Sequence, residues 1–310
     1  ISRMVGMKCP GHNSLLSRIS LLLCAKNSID DGLMKYRVKK FNEQASLAQI
    51  EVSGYDMEGT VDVFRRPNPV EQLSFDRLKA LVEKNEFLGQ TALVIGGSRG
   101  LGNATTKLLV AGNANVFFTF NKGLNEADAL KKEILREDYR VMGCQYDISG
   151  GIETACKLLA NLPRLPDSIF YFPTPAIFSS LKGNFSAELF NLFCSYYITG
   201  FVNIVDAFTS MTESEVTFFI PSTVAIENTP LNLGEYVSAK LAAEATANFI
   251  SKIRPSINVY VARLPRLPTD QTASIVPVSA ESAAETILDH LRELSNKLEL
   301  KKNILTPYRV

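Results

Sequence analysis

Tyr236 and Lys240 stand four residues apart in YVSAK, and on a helix that spacing puts both side chains on one face, one turn apart. A phenol with a pKa near ~10 is a poor acid at neutral pH, but an ammonium a few ångströms away favours the phenolate and lowers that value. Such a pair can give a proton to a carbonyl oxygen while a hydride arrives at its carbon. Tyr and Lys at this spacing are also common on exposed helices, so the pair gains weight only from its company. Ser222 and Thr223 supply it: two hydroxyls 14 and 13 residues before Tyr236, at the end of a stretch with strand character.

A nucleotide site is written upstream. TALVIGGSRGLG, residues 91 to 102, runs from strand-like Thr91 to Ile95 into a glycine cluster, and NATTKLLVAG after it reads as a helix. Strand, glycines and helix in that order begin a dinucleotide-binding unit. Gly96, Gly100 and Gly102 remove side chains where backbone must turn tightly or approach a pyrophosphate, and Ser98 and Leu101 complete the turn. The phosphates are expected on the free N–H groups of the helix start. An acidic residue accepting the ribose 2′-hydroxyl of NAD should end the second strand, about 20 residues after the glycines. The chain reads FFTFNK there, with Asn121 and Lys122 and no carboxylate. Arg99, inside the turn, adds a guanidinium able to grip a 2′-phosphate, although a solvated loop residue is its plain alternative. Together these residues favour NADP(H) over NAD(H).

The elements that must position these groups follow from the pattern after Thr91, where strand-like and helix-like stretches alternate. Strands are predicted near 91–96, 114–120, 140–146, 167–172, 215–220, 257–263 and 303–307. Helices are predicted near 100–112, 124–137, 150–161, 183–210, 234–253 and 280–296. Alternation of this kind requires a parallel sheet covered on both faces, so the expected fold class is α/β, a doubly wound Rossmann sheet with its ligand at the carboxyl ends of the strands. Residues 1–70 differ. Apolar residues alternate at Ile19, Leu21, Leu23, at Tyr36, Val38, at Ala48, Ile50, Val52 and at Val61, Val63, with turns at DDG and SGYDMEG. Successive strands without helices between them predict a small antiparallel β domain. Between the two, Leu73, Leu78, Leu81 and Val82 recur at helical spacing after Pro67 and Pro69. The expected organisation is therefore a β domain over 1–70, a linker helix over 71–88 and the Rossmann domain over 89–310.

Composition removes other classes. Thirty-three basic against 32 acidic residues leave a net charge of +1, which gives no electrostatic case for nucleic acid or an anionic membrane surface. Five cysteines without CxxC spacing predict reduced thiols in a cytoplasmic protein, and no His and Cys cluster has metal-ligand spacing, so no metal is expected. No apolar run approaches the ~18 residues of a membrane span. No signal-peptide pattern opens the chain, and because residue 1 is Ile rather than Met, sequence upstream of it is expected. His12 is expected in a loop or packed without an acidic partner, and His290 is expected among exposed charges.

With GGSRGLG, the Ser222/Thr223 hydroxyls and YVSAK in place, the region from about 89 to 310 resembles the short-chain dehydrogenase/reductase family. The resemblance implies Tyr236 as general acid/base, Lys240 on the nicotinamide ribose, and Thr223 or Ser222 orienting the substrate carbonyl. It further implies Asp147 and Ile148 at the adenine, Thr269 near the carboxamide, and a homo-oligomer assembled through the helices near 183–210 and 234–253. Three segments depart from the family: YFPTP at Tyr171 to Pro175 replaces NNAG, Tyr197 takes the place of a proton-relay Asn, and Pro265-Arg266 replaces PG. The front segment, from VGMKCPGHNSLLSRISL to GTVDVFRRPNP, resembles the later part of a MaoC-like hot-dog hydratase/dehydratase without that family's catalytic Asp and His. The pairing implies an NADPH-dependent reductase acting on a carbonyl or a 3-oxoacyl thioester. A catalytically silent nucleotide-binding scaffold and a dehydratase in the front domain are the alternatives.

Overall fold

The structure, a computed structural model, describes residues 1–11, 14–23, 32–43, 46–65, 73–175, 177, 184–267 and 280–305. His12, Cys24 and Thr269 lie outside the described residues. The chain divides into two compact units, the first spanning Ile1–Val70 and the second beginning at Glu71.

The first unit holds a short helix α1 (Ser2–Met7) and four antiparallel strands, β1 (Ser14–Leu23), β2 (Lys35–Asn42), β3 (Leu47–Gly54) and β4 (Met57–Arg65), in the order β1-β4-β3-β2. The β3–β4 hairpin closes through Tyr55 and Asp56, both at positive φ (56° and 54°), the backbone that a tight hairpin of right-twisted strands demands. Period-two alternation turns Ala48, Ile50, Val52, Val61 and Val63 to one face, where Met4 and Val5 of α1 cover them. That face continues outward into Ile19, Tyr36, Val38 and Phe41, which remain exposed.

The second unit is the doubly wound sheet. Its strands are β5 (Thr91–Ile95), β6 (Asn115–Phe120), β7 (Met142–Gln145), β8 (Ser168–Tyr171), β9 (Val216–Thr223) and β10 (Ile257–Leu264), all parallel, in the order β10-β9-β8-β5-β6-β7. Helices α3 (Gly100–Ala111), α4 (Leu124–Arg136), α5 (Gly151–Ala160), α6 (Ala187–Cys194), α7 (Gly200–Met211), α8 (Gly234–Ile253) and α9 (Ala280–Leu305) make the crossovers and close the unit, preceded by a short α2 (Phe75–Lys79). Neighbouring residues of β5 belong to opposite cores, Val94 with Phe118, Leu108 and Phe219, Leu93 and Ile95 with Phe218, Phe201 and Phe208. A strand buried on both faces reads as a continuous apolar run, as TALVI does. The chain winds outward through β6 and β7, then returns to β8 beside β5, so strand order reverses between β5 and β8. A crevice opens at that switch point.

Four expectations are corrected. The stretch 71–88 is helical only over Phe75–Lys79; Phe75 and Leu78 are buried in the core beside α3 and α4, so it is part of the second unit's packing rather than a linker. The strand expected near 303–307 is instead the end of α9, which continues to Leu305 because ELSNKLELKKNIL keeps helical spacing with no turn residue to stop it. The single helix expected near 183–210 starts at Ala187 and is interrupted at Ser195–Thr199 by a π-helical turn. With that turn included, Ala187–Met211 is long and apolar enough to cross a membrane, but Phe201, Ile204, Val205 and Phe208 are buried in the core against the sheet.

Lys107 of α3 ties the entry segment to α4. It is 2% exposed, donates to the Leu73 carbonyl at 2.8 Å and pairs with Glu133 at 2.8 Å. Lys107→Met should destabilise the protein by about 1–3 kcal/mol through the unsatisfied partners it leaves, read as a lower denaturant midpoint at unchanged m-value.

Candidate functional site

The crevice at the carboxyl ends of β5 and β8 is a cleft of about 710 Å³. One wall is the glycine turn. Gly96 (φ +77°) and Gly100 (φ +54°) occupy the left-handed region. A Cβ on Gly102 would come within 2.2 Å of the Gly96 carbonyl oxygen, so only glycine lets α3 start this close to the strand end. Thr119 of β6 braces the turn, its hydroxyl accepting from Gly96 N at 3.1 Å and its carbonyl from Gly97 N at 2.9 Å. Arg99 occupies the position before α3 without a side-chain cap, which leaves the first N–H groups of the helix to a ligand. Asn121 and Lys122 follow β6 on the same wall, Ser98 and Leu101 lie between the glycines, and Ile148 borders the cleft beyond β7. Tyr146, buried with its hydroxyl unpaired, borders it too. A glycine at 102 that no side chain could replace, two more held at positive φ, an uncapped helix start and two cations beside it fit a phosphorylated dinucleotide.

The other wall and the floor carry Thr223, Ser222, Tyr236 and Lys240. The β9 strand ends at Thr223, whose side chain caps the turn that follows, accepting from Ala225 N at 3.1 Å. The Thr223 side chain lies near enough to the Tyr236 phenol to oppose weakly the effect of burial on it. Ser222 is directed elsewhere: its hydroxyl donates to Glu244, which Arg263 also grips with two hydrogen bonds at 3.0 and 2.7 Å. Of the two hydroxyls that spacing left equal, Thr223 is the one beside the phenol. Lys240, 7% exposed, donates to the Pro221 carbonyl at 2.7 Å.

The electrostatics differ from expectation. Burial pushes the Tyr236 phenol up to about 12, against a smaller opposite effect of Thr223, and burial lowers the Lys240 ammonium to about 7. The expected lowering of the phenol by the amine is absent because the cleft floor desolvates both groups and Lys240 Nζ lies 5.9 Å from the phenol ring centre. Tyr236 is therefore a protonated acid at neutral pH.

Asp147 does not border the cleft; its carboxylate accepts from Ser149 N (2.9 Å) and Ser149 Oγ (2.8 Å), capping the turn after β7, which also holds it below the usual carboxylate range. Phe172, Pro173 and Thr174 of the YFPTP segment form cleft wall beside Gly96, and Pro265 and Arg266 border the far end. Sequence reasoning missed Thr119 and Thr174, whose roles depend on strand neighbours and carry no spacing signal. His290 is not simply exposed: its Nδ1 lies 2.8 Å from the Tyr260 hydroxyl and its ring packs 6.1 Å from Phe219. Among the described residues no group of His, Cys, Asp and Glu could hold a metal, and Cys9, Cys144, Cys156 and Cys194 are free.

Fold and cleft together define a doubly wound α/β unit whose crevice lies at the switch point of its parallel sheet. Residues 90–163 match the short chain dehydrogenase family model. No curated protein matches the sequence. Among solved structures, the chain is similar to a short chain dehydrogenase from Shigella flexneri (TM-score 0.56, 15% identity, 64% of this chain and 80% of that one). It is also similar to an alcohol dehydrogenase from Thermococcus sibiricus complexed with 5-hydroxy-NADP (TM-score 0.55, 18% identity, 66% and 90%). A third is FolM alternative dihydrofolate reductase 1 from Brucella canis complexed with NADP (TM-score 0.51, 16% identity, 58% and 73%).

Proposed function

We propose that the chain is an NADPH-dependent reductase of the short-chain dehydrogenase/reductase type that reduces a carbonyl, with a 3-oxoacyl thioester as the substrate class. One observation carries the reading: a protonated phenol, Tyr236, beside Thr223 and one helical turn from Lys240, shares a cleft with a glycine turn shaped for pyrophosphate. The nicotinamide, when bound, supplies the hydride. Tyr236 gives its proton to the carbonyl oxygen, Thr223 holds that oxygen by a hydrogen bond, and Lys240 binds the ribose beside it. Ser222 supports the site indirectly by ordering Glu244. The uncapped start of α3, with Gly96, Gly100 and Gly102, takes the pyrophosphate; Leu101 and Ile148 border the base; Thr269 is assigned to the carboxamide. Because Tyr236 stays protonated, it is ready at neutral pH to act as the acid that reduction requires.

Arg99, Asn121 and Lys122 are assigned to the 2′-phosphate. Arg99 is 62% exposed and only 4.0 Å from Glu126, a loose pairing that phosphate can replace. Arg99→Ala should weaken NADPH binding about tenfold, the loss of roughly 1.4 kcal/mol of charge-assisted contact, and leave NADH binding unchanged, measured by fluorescence titration with each cofactor.

The front sheet is assigned to a partial MaoC-like hot-dog domain on its alternation and antiparallel order, and that assignment is what favours an acyl thioester; it is analogy. A homo-oligomer is assigned to α8, where Leu241, Ala245, Phe249 and Ile253 form an exposed apolar stripe at helical spacing. Free thiols and NADPH chemistry suit the cytoplasm. The test is NADPH oxidation monitored with a carbonyl panel that includes a 3-oxoacyl thioester; NADPH binding without turnover on any carbonyl would overturn the reductase.

A further inference from the structure

Tyr197 is the residue that most clearly departs from the pattern the sequence resembles, and the fold spends a distorted helix on placing it. Between α6 and α7 the ladder slips by one residue: Gly200 N donates to the Ser195 carbonyl, five residues back. The Tyr196 carbonyl accepts instead from the Tyr171 hydroxyl at 2.6 Å, at the end of β8. Position 200 must be glycine for this, since a Cβ there would stand 2.4 Å from the Tyr171 oxygen. Single π-turns of this kind tend to occur where a helix presents a functional side chain.

The turned residue faces α8. The Tyr197 ring is 3% exposed and stacks on Phe193 (5.8 Å, 12°), its hydroxyl is 2.6 Å from Thr174 Oγ1, and Lys240 Nζ lies 3.9 Å from its centre. A ring fixed by a stack, a hydrogen bond and a distorted helix is a built surface for a cation. Lys240 needs one: among the described residues no carboxylate oxygen forms an ion pair with it, and Glu244, one turn along α8, is engaged by Arg263 of β10 and by Ser222. The other titratable group facing it is the Tyr236 ring, 5.9 Å away.

Resting on the reductase reading above, we propose that Tyr197 is a positioning residue for Lys240. Its ring face, aimed inward by the Tyr171-braced π-turn, holds the ammonium charged and in place on the cleft floor. An ammonium has three donors. One goes to Pro221 and one to the ring face, so the third is the one presented to the cleft. Burial drives Lys240 toward neutrality and the Glu244 charge opposes it without pairing; the ring face, 3.9 Å away, adds a direct contact that does not neutralise the charge as a carboxylate would.

The test separates this idea from the reductase reading. Protein labelled with 13C at lysine Cε is titrated by NMR without cofactor, the Lys240 resonance being assigned by its loss in Lys240→Met. Wild type and Tyr197→Phe, which keeps the ring, should titrate alike. Tyr197→Leu should titrate about one pH unit lower, a tenfold change in the proton-binding constant. Tyr171→Phe, a conservative change that keeps Tyr197 but unties the turn, should move the same way by less, and it serves if the Leu variant does not fold. Unchanged titration in Tyr197→Leu, or in Tyr171→Phe when only that variant folds, overturns the proposal. Parallel NADPH titrations of the same samples address the other reading: binding that weakens at lower pH in Tyr197→Leu than in wild type supports both. Wild type that titrates as described yet binds no NADPH sinks the reductase reading alone.

Discussion

Tyr236→Phe is expected to lower carbonyl reduction by NADPH about 10²–10⁴-fold, the usual worth of a positioned general acid, while NADPH affinity stays within a factor of about two. The substitution removes one oxygen and leaves the ring, which packs edge-on against Phe193 (5.7 Å) and Tyr197 (6.0 Å), so the fold has no reason to change. The measurement is steady-state turnover beside a fluorescence titration of cofactor. Equal turnover in wild type and variant would remove Tyr236 from the mechanism. The pH dependence follows from the same pair of groups. The phenol keeps its proton up to about 12, whereas Lys240 loses charge through about 7. Reduction needs both protonated, so its rate should fall as pH rises past neutrality through loss of the Lys240 charge, long before the acid itself titrates. Oxidation needs the phenolate and should be slow at neutral pH. An alkaline limb absent from Lys240→Met but present in wild type would tie it to that residue.

Gly102→Val is expected to weaken NADPH binding about 100-fold and to destabilise the fold by about 1–3 kcal/mol, the range for forcing extra methyl groups into a filled space. Its Cβ would lie 2.2 Å from the Gly96 oxygen and 3.0 Å from the Gly97 Cα, both backbone atoms that can yield only if the turn opens. Opening the turn pulls the α3 N–H groups away from the place where phosphates gather, so binding falls more than stability does. Cofactor titration and a denaturant melt read the two effects separately; binding that survives with full affinity would show that the pyrophosphate does not sit on this turn.

The sequence alone determined the parts of this protein whose physics is local. Alternating strand and helix patterns from Thr91 onward leave few arrangements other than a covered parallel sheet, and glycines at 96, 100 and 102 state where backbone must come close. YVSAK on a helix puts a phenol and an amine on one face, because a period of 3.6 residues does so in any context. Antiparallel pairing in the first unit was legible for the same reason, in residues alternating every second position. Whatever depends on the surroundings of a side chain was decided only by the tertiary structure. Spacing allowed Ser222 or Thr223 beside the phenol, and the Glu244–Arg263 pair across β9, α8 and β10 draws Ser222 away. For Asp147, which the resemblance places at the adenine, the structure adds that its carboxylate caps the Ser149 turn after β7. The pKa values of Tyr236 and Lys240 moved opposite to or beyond expectation because desolvation comes from walls contributed by distant segments. The π-turn that brings Tyr197 under Lys240 needs a hydroxyl from the end of β8, and no local sequence pattern encodes a bond between elements 25 residues apart.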